Sequence, residues 1–196
     1  MAVYFNSRTL SRHLGINLAK WKRWAREFLP PDPLGGLQSG YARQYNVDEA
    51  FVVALGGHLV GNLKFTIPEA KRILKDLNGW LVAHGFFYLD RAHEKPEENM
   101  GALIKSYEIH ILRKKTSGEK IINFSYMVRG LIAAGPIEYK GYKIQQQLYV
   151  DNLLTLGNNE VDTIPAANPT ILNITQLLIS YVEKLSLSKR FYPEHF

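Results

Sequence analysis

The strongest constraint on the fold is a pair of short apolar patterns, separated by a glycine, between Ser7 and Phe28. The first pattern predicts a helix over Ser7–Leu14 that Asn6 or Ser7 caps and that Gly15 ends. The second pattern predicts a helix with one packed face, because its apolar residues recur at three- and four-residue steps: Leu18, Trp21, Ala25 and Phe28. Two short helices joined by a tight turn are typical of a helix-turn-helix.

The second predicted helix also carries a cluster of basic residues away from its apolar face: Lys20, Lys22, Arg23 and Arg26. Residues 1–46 hold seven Lys and Arg against two Asp and Glu, a large share of the chain's net charge of +6. A solvated helix face would account for such a cluster, but a local basic excess is also what DNA phosphates attract. We therefore predict DNA contact by this face. Trp21 is expected to pack in the core, and Trp24 either packs there or contacts a phosphate.

The segment after the second helix predicts a turn and then a small hairpin. The run Pro30–Pro33 cannot continue a helix, because proline lacks an amide donor and restricts the residue before it. Glycines within Gly35–Gly40 then bracket a short alternating segment that ends in Tyr41, Arg43 and Tyr45. A hairpin beside a helix-turn-helix forms a wing.

In this order of features, residues 1–80 resemble the MerR-type winged-helix transcription regulators. Lys20–Ala25 falls in the register of the family's Thr-Leu-Arg-x-Tyr-Glu, with a Lys and a Trp in the places of the Arg and the Tyr. Gly40–Tyr45 is similar to the family's Gly-Tyr-Arg-x-Tyr wing with one residue added. Phe65–Leu74 is similar to the family's Gly-Phe-Ser-x-x-Glu-Ile-x-x-Leu helix start. The resemblance implies a bacterial regulator that binds double-stranded DNA as a homodimer.

Two further helices are predicted in this part of the chain. Val47–Gly61 is mostly apolar, and Gly56–Gly57 within it permits close packing although each glycine lowers helix propensity by about 1 kcal/mol. A helix over about Pro68–Ala83 begins with a capping box made by Thr66 and Glu69. Family members extend such a helix into a dimerising coiled coil, but here glycines at 79 and 85 interrupt the pattern and no heptad repeat follows.

A polar, acidic segment, Asp90–Gly101, separates the predicted DNA-binding domain, 1–85, from a second domain, 100–196. Beyond this segment the apolar period changes to two, which predicts strands and one last helix: Tyr107–Leu112, Ile121–Val128, Ile137–Tyr142, Tyr142–Val150 and a helix over about Thr170–Leu185. The predicted fold class is α+β, an N-terminal MerR-like winged helix-turn-helix domain followed by a small antiparallel sheet domain with a C-terminal helix. This helix either covers one face of the sheet or pairs with its copy in a dimer.

The sequence carries no recognisable signal for catalysis, metals or membranes. Without cysteine, neither disulfides nor thiolate metal sites are possible, and the six histidines lack metal-ligand spacing. Phosphate-binding, nucleophile-elbow and dinucleotide motifs are missing. No signal-peptide core and no run of eighteen apolar residues is found. We predict a cytoplasmic protein that is not an enzyme and that has no cofactor, metal or membrane contact.

We predict a sequence-specific transcription regulator whose DNA contacts come from ten residues: Arg8, Arg12, Lys20, Lys22, Arg23, Trp24, Arg26, Tyr41, Arg43 and Tyr45. The alternative is an architectural or phage excisionase-like DNA-binding protein. In a third hypothesis the second domain binds a small-molecule effector or acts as an enzyme, because its many aromatics would suit an apolar pocket. The same aromatics would also suit a domain core.

Overall fold

Helices dominate the first half of the chain and strands the second half. The structure, a computed structural model, describes residues 3–32, 42–87, 106–114, 123–154 and 168–187. The elements within these ranges are, in order, β1 Phe5–Asn6, α1 Ser7–Leu14, α2 Leu18–Phe28, β2 Gln44–Tyr45, α3 Val47–Gly61, α4 Ile67–Ala83, β3 Ser106–Lys114, β4 Asn123–Tyr139, β5 Tyr142–Leu154, β6 Thr170–Leu172 and α5 Ile174–Lys184. The predicted mixed α+β class is confirmed.

The chain divides into two compact units that cut across the predicted domains. The head unit contains the described residues up to 87 together with 177–187, and the sheet unit contains the described residues from 106 to 176. The sequence analysis placed all of α5 with the sheet. Tyr181 of α5 instead donates a hydrogen bond to the carbonyl of Val47 at 2.8 Å, and its ring centroid lies 5.1 Å from that of Phe51. The second half of α5 therefore belongs to the core of the head unit.

Side-chain caps fix the first two helices where the sequence places them. Asn6 accepts from the amide of Thr9 at the start of α1, and Gly15 ends α1 with a left-handed φ of 66°. Asn17 then accepts from the amides of Ala19 and Lys20 at the start of α2. Because glycine adopts a positive φ without steric cost, the turn between the two helices needs only three residues.

Capping boxes begin the next two helices, as expected for α4. In α3 the side chain of Asn46 accepts from the amide of Glu49, whose carboxylate accepts from the amide of Asn46. Thr66 and Glu69 make the same reciprocal pair in α4, which also has a proline in its first turn. Each cap satisfies backbone amides that have no partner inside the helix. The predicted bounds of both helices are confirmed to within one residue.

The sheet unit contains a four-stranded antiparallel sheet in the order β5-β4-β3-β6. The separate strands predicted over Ile121–Val128 and Ile137–Tyr142 are wrong, because residues 123–139 form the single strand β4. A bulge between Leu131 and Ala133 shifts the register of β4 against β5 by one residue, and the strand continues beyond it. Pro136 is tolerated because β4 is paired there with β5 on one side, while its ladder with β3 ends at Leu131.

The last helix begins four residues later than predicted. Thr170–Leu172 forms the edge strand β6, in which Leu172 pairs with Ile109 of β3. Asn173 then accepts from the amide of Gln176 and so caps α5. Across the described ranges, no helix is long and apolar enough to cross a membrane.

Candidate nucleic-acid interface

A groove of about 890 Å³ on the head unit gathers basic side chains from separate parts of the sequence. Its described lining includes Arg8 of α1, Lys22 and Arg26 of α2, and Arg43 just before β2. Asp32 is the one acidic residue in that lining. The described lining of the groove therefore holds more basic than acidic side chains, a composition suited to anionic groups.

Packing of α2 determines which of its side chains reach the groove. Trp21 is fully buried and Ala25 is 3% exposed, so the opposite side of the helix faces solvent. Lys22 and Arg26 are exposed and lie one turn apart on the flank between the buried face and that opposite side, where side chains four residues apart are neighbours. Arg8, also exposed, lies near the start of α1. These three cations are those most available to a ligand in the groove.

Arg43 is largely engaged by the protein itself. Its guanidinium donates to the carbonyl of Pro30 at 2.8 Å and to the carboxylate of Glu49 at 3.2 Å. Its side chain is 17% exposed and its guanidinium carbon lies 5.5 Å from the ring centroid of Tyr45. Arg43 thus ties the chain after α2 to the start of α3, and its ion pair with Glu49 offsets its positive charge at the groove.

Tyr45 is a core residue in the structure, although the sequence analysis predicted a DNA contact for it. The residue is 2% exposed, and its ring meets that of Trp21 edge to face at 5.8 Å. Its hydroxyl lies 3.0 Å from the hydroxyl of Ser7. Pairing of β2 with β1 places Tyr45 opposite Phe5 and turns its side chain toward α2. A buried ring held in this way stabilises the groove wall.

Trp24 packs on glycines of α3. Of the two roles predicted for it, core packing or contact with a phosphate, the structure therefore shows packing. A Cβ atom at Gly57 would overlap the Trp24 ring, and one at Gly61 would lie 3.7 Å from it. Phe28 approaches Gly56 in the same manner. The close packing predicted for the glycine pair is confirmed, and the aromatic residues of α2 are the reason for it.

The remaining predicted contacts divide into two groups. Arg12, Lys20 and Arg23 are exposed but do not line the groove. Tyr41 and the hairpin predicted over Gly35–Gly40 lie outside the described residues. The structure therefore brings together four of the predicted basic residues and places three others on the adjoining surface.

Ion pairs with cations hold three described acidic residues of the head unit, Glu27, Glu49 and Asp76. Glu27 of α2 accepts from Lys71 of α4 at 2.7 Å, and this hydrogen bond is the main reason that the pKa of Glu27 is lowered. Arg23 and Arg26 lower the same pKa to a smaller extent. The ion pairs of Glu27 and Glu49 could not be predicted, because nothing in their local sequence shows which cations the fold brings beside them.

Within the parts of the chain that the structure describes, no three His, Asp or Glu side chains are placed to hold a metal ion. The groove offers cations, amide and hydroxyl groups to a ligand, a set suited to binding anions. No family model, no curated protein and no solved structure matches this chain.

Proposed function

We propose that this protein binds double-stranded DNA through the basic groove of its head unit and acts as a transcription regulator. The observation that carries the proposal is the convergence of Arg8, Lys22, Arg26 and Arg43 on one groove. Two short helices joined by a three-residue turn at Gly15 support this proposal, because a helix-turn-helix is built in this way, and α2 would be its recognition helix.

In this proposal α2 enters the major groove of DNA with Lys22 and Arg26 directed at base edges and phosphates. Arg8 contacts the flanking backbone, and Arg43 holds the chain after α2 in position through Pro30 and Glu49. Phosphate contacts supply affinity, whereas base contacts supply specificity. A homodimer would present two such heads to two half-sites.

The test is fluorescence anisotropy with a duplex from the protein's own upstream region and a scrambled duplex, over about 50 to 200 mM salt. We expect the native duplex to bind on the order of a thousandfold more tightly than the scrambled one. Lys22→Ala and Arg8→Ala should each weaken binding and make the salt dependence shallower by about one phosphate.

Lys75→Ala is the matched control, since Lys75 is an exposed lysine on α4 that does not line the groove. Its salt dependence should equal that of the unmodified protein. Equal binding of both duplexes would replace the regulator with an architectural DNA-binding protein. If neither duplex binds at micromolar protein, the proposal is rejected.

A further inference from the structure

Within the described residues, strands β4 and β5 continue beyond the rest of the sheet as a two-stranded ribbon. The last pair between β3 and β4 joins Ser106 to Leu131. The ladder between β4 and β5 continues for seven more pairs, from Ala133 with Leu148 to the pair next to the turn, Tyr139 with Tyr142. Among the described strands, none other pairs with this part, which we call the ribbon (133–148).

One face of the ribbon is mainly apolar, with Gln146 as a polar member, and the other is polar. Ile137 pairs with Ile144 and Tyr139 with Tyr142, and Leu148 follows Ile144 by an even number of residues, so all five share one face. The register is constant from Ala133 with Leu148 to Tyr139 with Tyr142, because the bulge lies before Ala133 and outside the ribbon. The opposite face carries Glu138 paired with Lys143, and Gln147.

The apolar face is exposed to an extent that is unusual for a solvated surface. Its five side chains are between 38% and 74% exposed. The two tyrosines offer roughly 250 Å² of surface and the aliphatic side chains add a similar amount. The largest apolar patch of a monomer is often functional at a size of several hundred Å², and a two-stranded ribbon alone is only marginally stable in water.

We propose that the apolar face of the ribbon packs against the same face of a second copy of this chain. Two such faces together would remove on the order of 1,000 Å² from water, the lower limit for a specific interface. All five side chains are uncharged, and the charge that the structure places beside them is the ammonium of Lys140, which lies 5.3 Å from the ring centroid of Tyr139 at the turn end of the ribbon. A twofold axis brings the same face of each copy together, so an apolar face meets an apolar face. Nucleic acid would instead require several cations along the face, and Lys140 at the turn does not supply them.

Sedimentation equilibrium of the full chain without DNA tests the proposal, so that its outcome is independent of the proposed DNA binding. We expect a dimer at about 10 µM protein, and we expect Ile144→Lys to raise the dimer dissociation constant by about 100-fold. Gln147→Lys adds the same charge on the opposite face and should change it by less than about threefold. A monomeric unmodified protein, or equal effects of the two substitutions, would overturn the proposal.

A cysteine crosslink provides a second measurement that does not require a destabilising charge. The chain has no cysteine, so Ile144→Cys and Gln147→Cys each introduce a single thiol. A short bismaleimide should join two copies through position 144 and leave position 147 largely unlinked. Crosslinking that is equal at the two positions contradicts a face-to-face dimer even if Ile144→Lys fails to fold.

Discussion

At the scale of single residues, the glycines of the head unit differ sharply in what surrounds them. Gly57 lies under the Trp24 ring, whereas nothing lies within 4 Å of a Cβ atom at Gly79 of α4. Gly57→Ala gains about 1 kcal/mol of helix propensity but forces Trp24 out of place, at a cost of about 1 to 3 kcal/mol. Gly79→Ala should instead stabilise the protein by up to about 1 kcal/mol. Urea denaturation measures both changes, and a stabilised Gly57→Ala variant would contradict the close packing.

The pKa values of two histidines in the head unit indicate how its free energy of unfolding depends on pH. Burial lowers the pKa of His58 and of His84, and for His84 a hydrogen bond to the carbonyl of Trp80 opposes that shift. The unfolded chain therefore binds more protons once the pH falls below about 6.5. Consequently, the free energy of unfolding should fall as the pH is lowered from about 7 toward the depressed pKa values.

Denaturant midpoints at pH 7.5 and pH 5.5 test this pH dependence, since carboxylates titrate mainly below that interval. The double variant His58→Gln, His84→Gln should show a smaller decline between the two conditions than the unmodified protein. If the denaturant midpoint of the unmodified protein rises on acidification, groups other than these two histidines determine how stability depends on pH.

At the scale of elements, the second half of α5 completes the head unit through Tyr181. Its hydroxyl is bonded to Val47, and burial, helped by the charge of Asp48, raises its pKa well above the usual value. Tyr181→Phe removes one hydrogen bond and should cost about 1 kcal/mol. Tyr181→Ala also leaves a cavity beside Phe51 and should cost about 3 to 5 kcal/mol.

Hydrogen exchange of the α3 amides tests whether α5 unfolds together with α3 or separately from it. Faster exchange in α3 of Tyr181→Ala would place α5 in the same cooperative unit as α3. Unchanged exchange in α3, with loss of protection confined to α5, would contradict the assignment of α5 to the head unit.

The elements that were predictable are those whose signals are local in the sequence. Caps at Asn6 and Thr66 and the glycine at position 15 fix helix ends within a few residues, so α1, α3 and α4 could be predicted closely. The length of β4 depends instead on pairing with β5, and the strand at Thr170 depends on β3, about sixty residues earlier. Those contacts override the local breaks at Gly130, Gly135 and Pro136.

The same distinction applies to the candidate interface. Basic residues of α2 could be assigned to an exposed face because helical periodicity also determines the buried face. Tyr45 and Arg43 could not be assigned in this way, because their roles depend on Ser7, Pro30 and Glu49, which the fold brings to them from other elements.

At the scale of the whole molecule, dimerisation and DNA binding are linked in the two proposals. Two heads joined through the ribbon raise the effective concentration of the second head at its half-site. Ile144→Lys should therefore weaken binding to a duplex with two half-sites by about 100-fold, while binding to a single half-site stays the same. Anisotropy titrations with both duplexes measure this difference. Equal weakening on both duplexes would show damage to the head rather than loss of the dimer.

The return of α5 to the head unit also determines when that unit can form during synthesis. Leu178, Tyr181, Val182 and Leu185 are buried residues that leave the ribosome long after α4. At roughly 5 to 20 residues per second, about 5 to 20 s separate the synthesis of residue 87 from that of residue 185. Throughout this interval a nascent chain lacks the hydrogen bond from the Tyr181 hydroxyl to the carbonyl of Val47. Products of premature termination would therefore carry the basic helix on an incomplete core and be open to proteolysis.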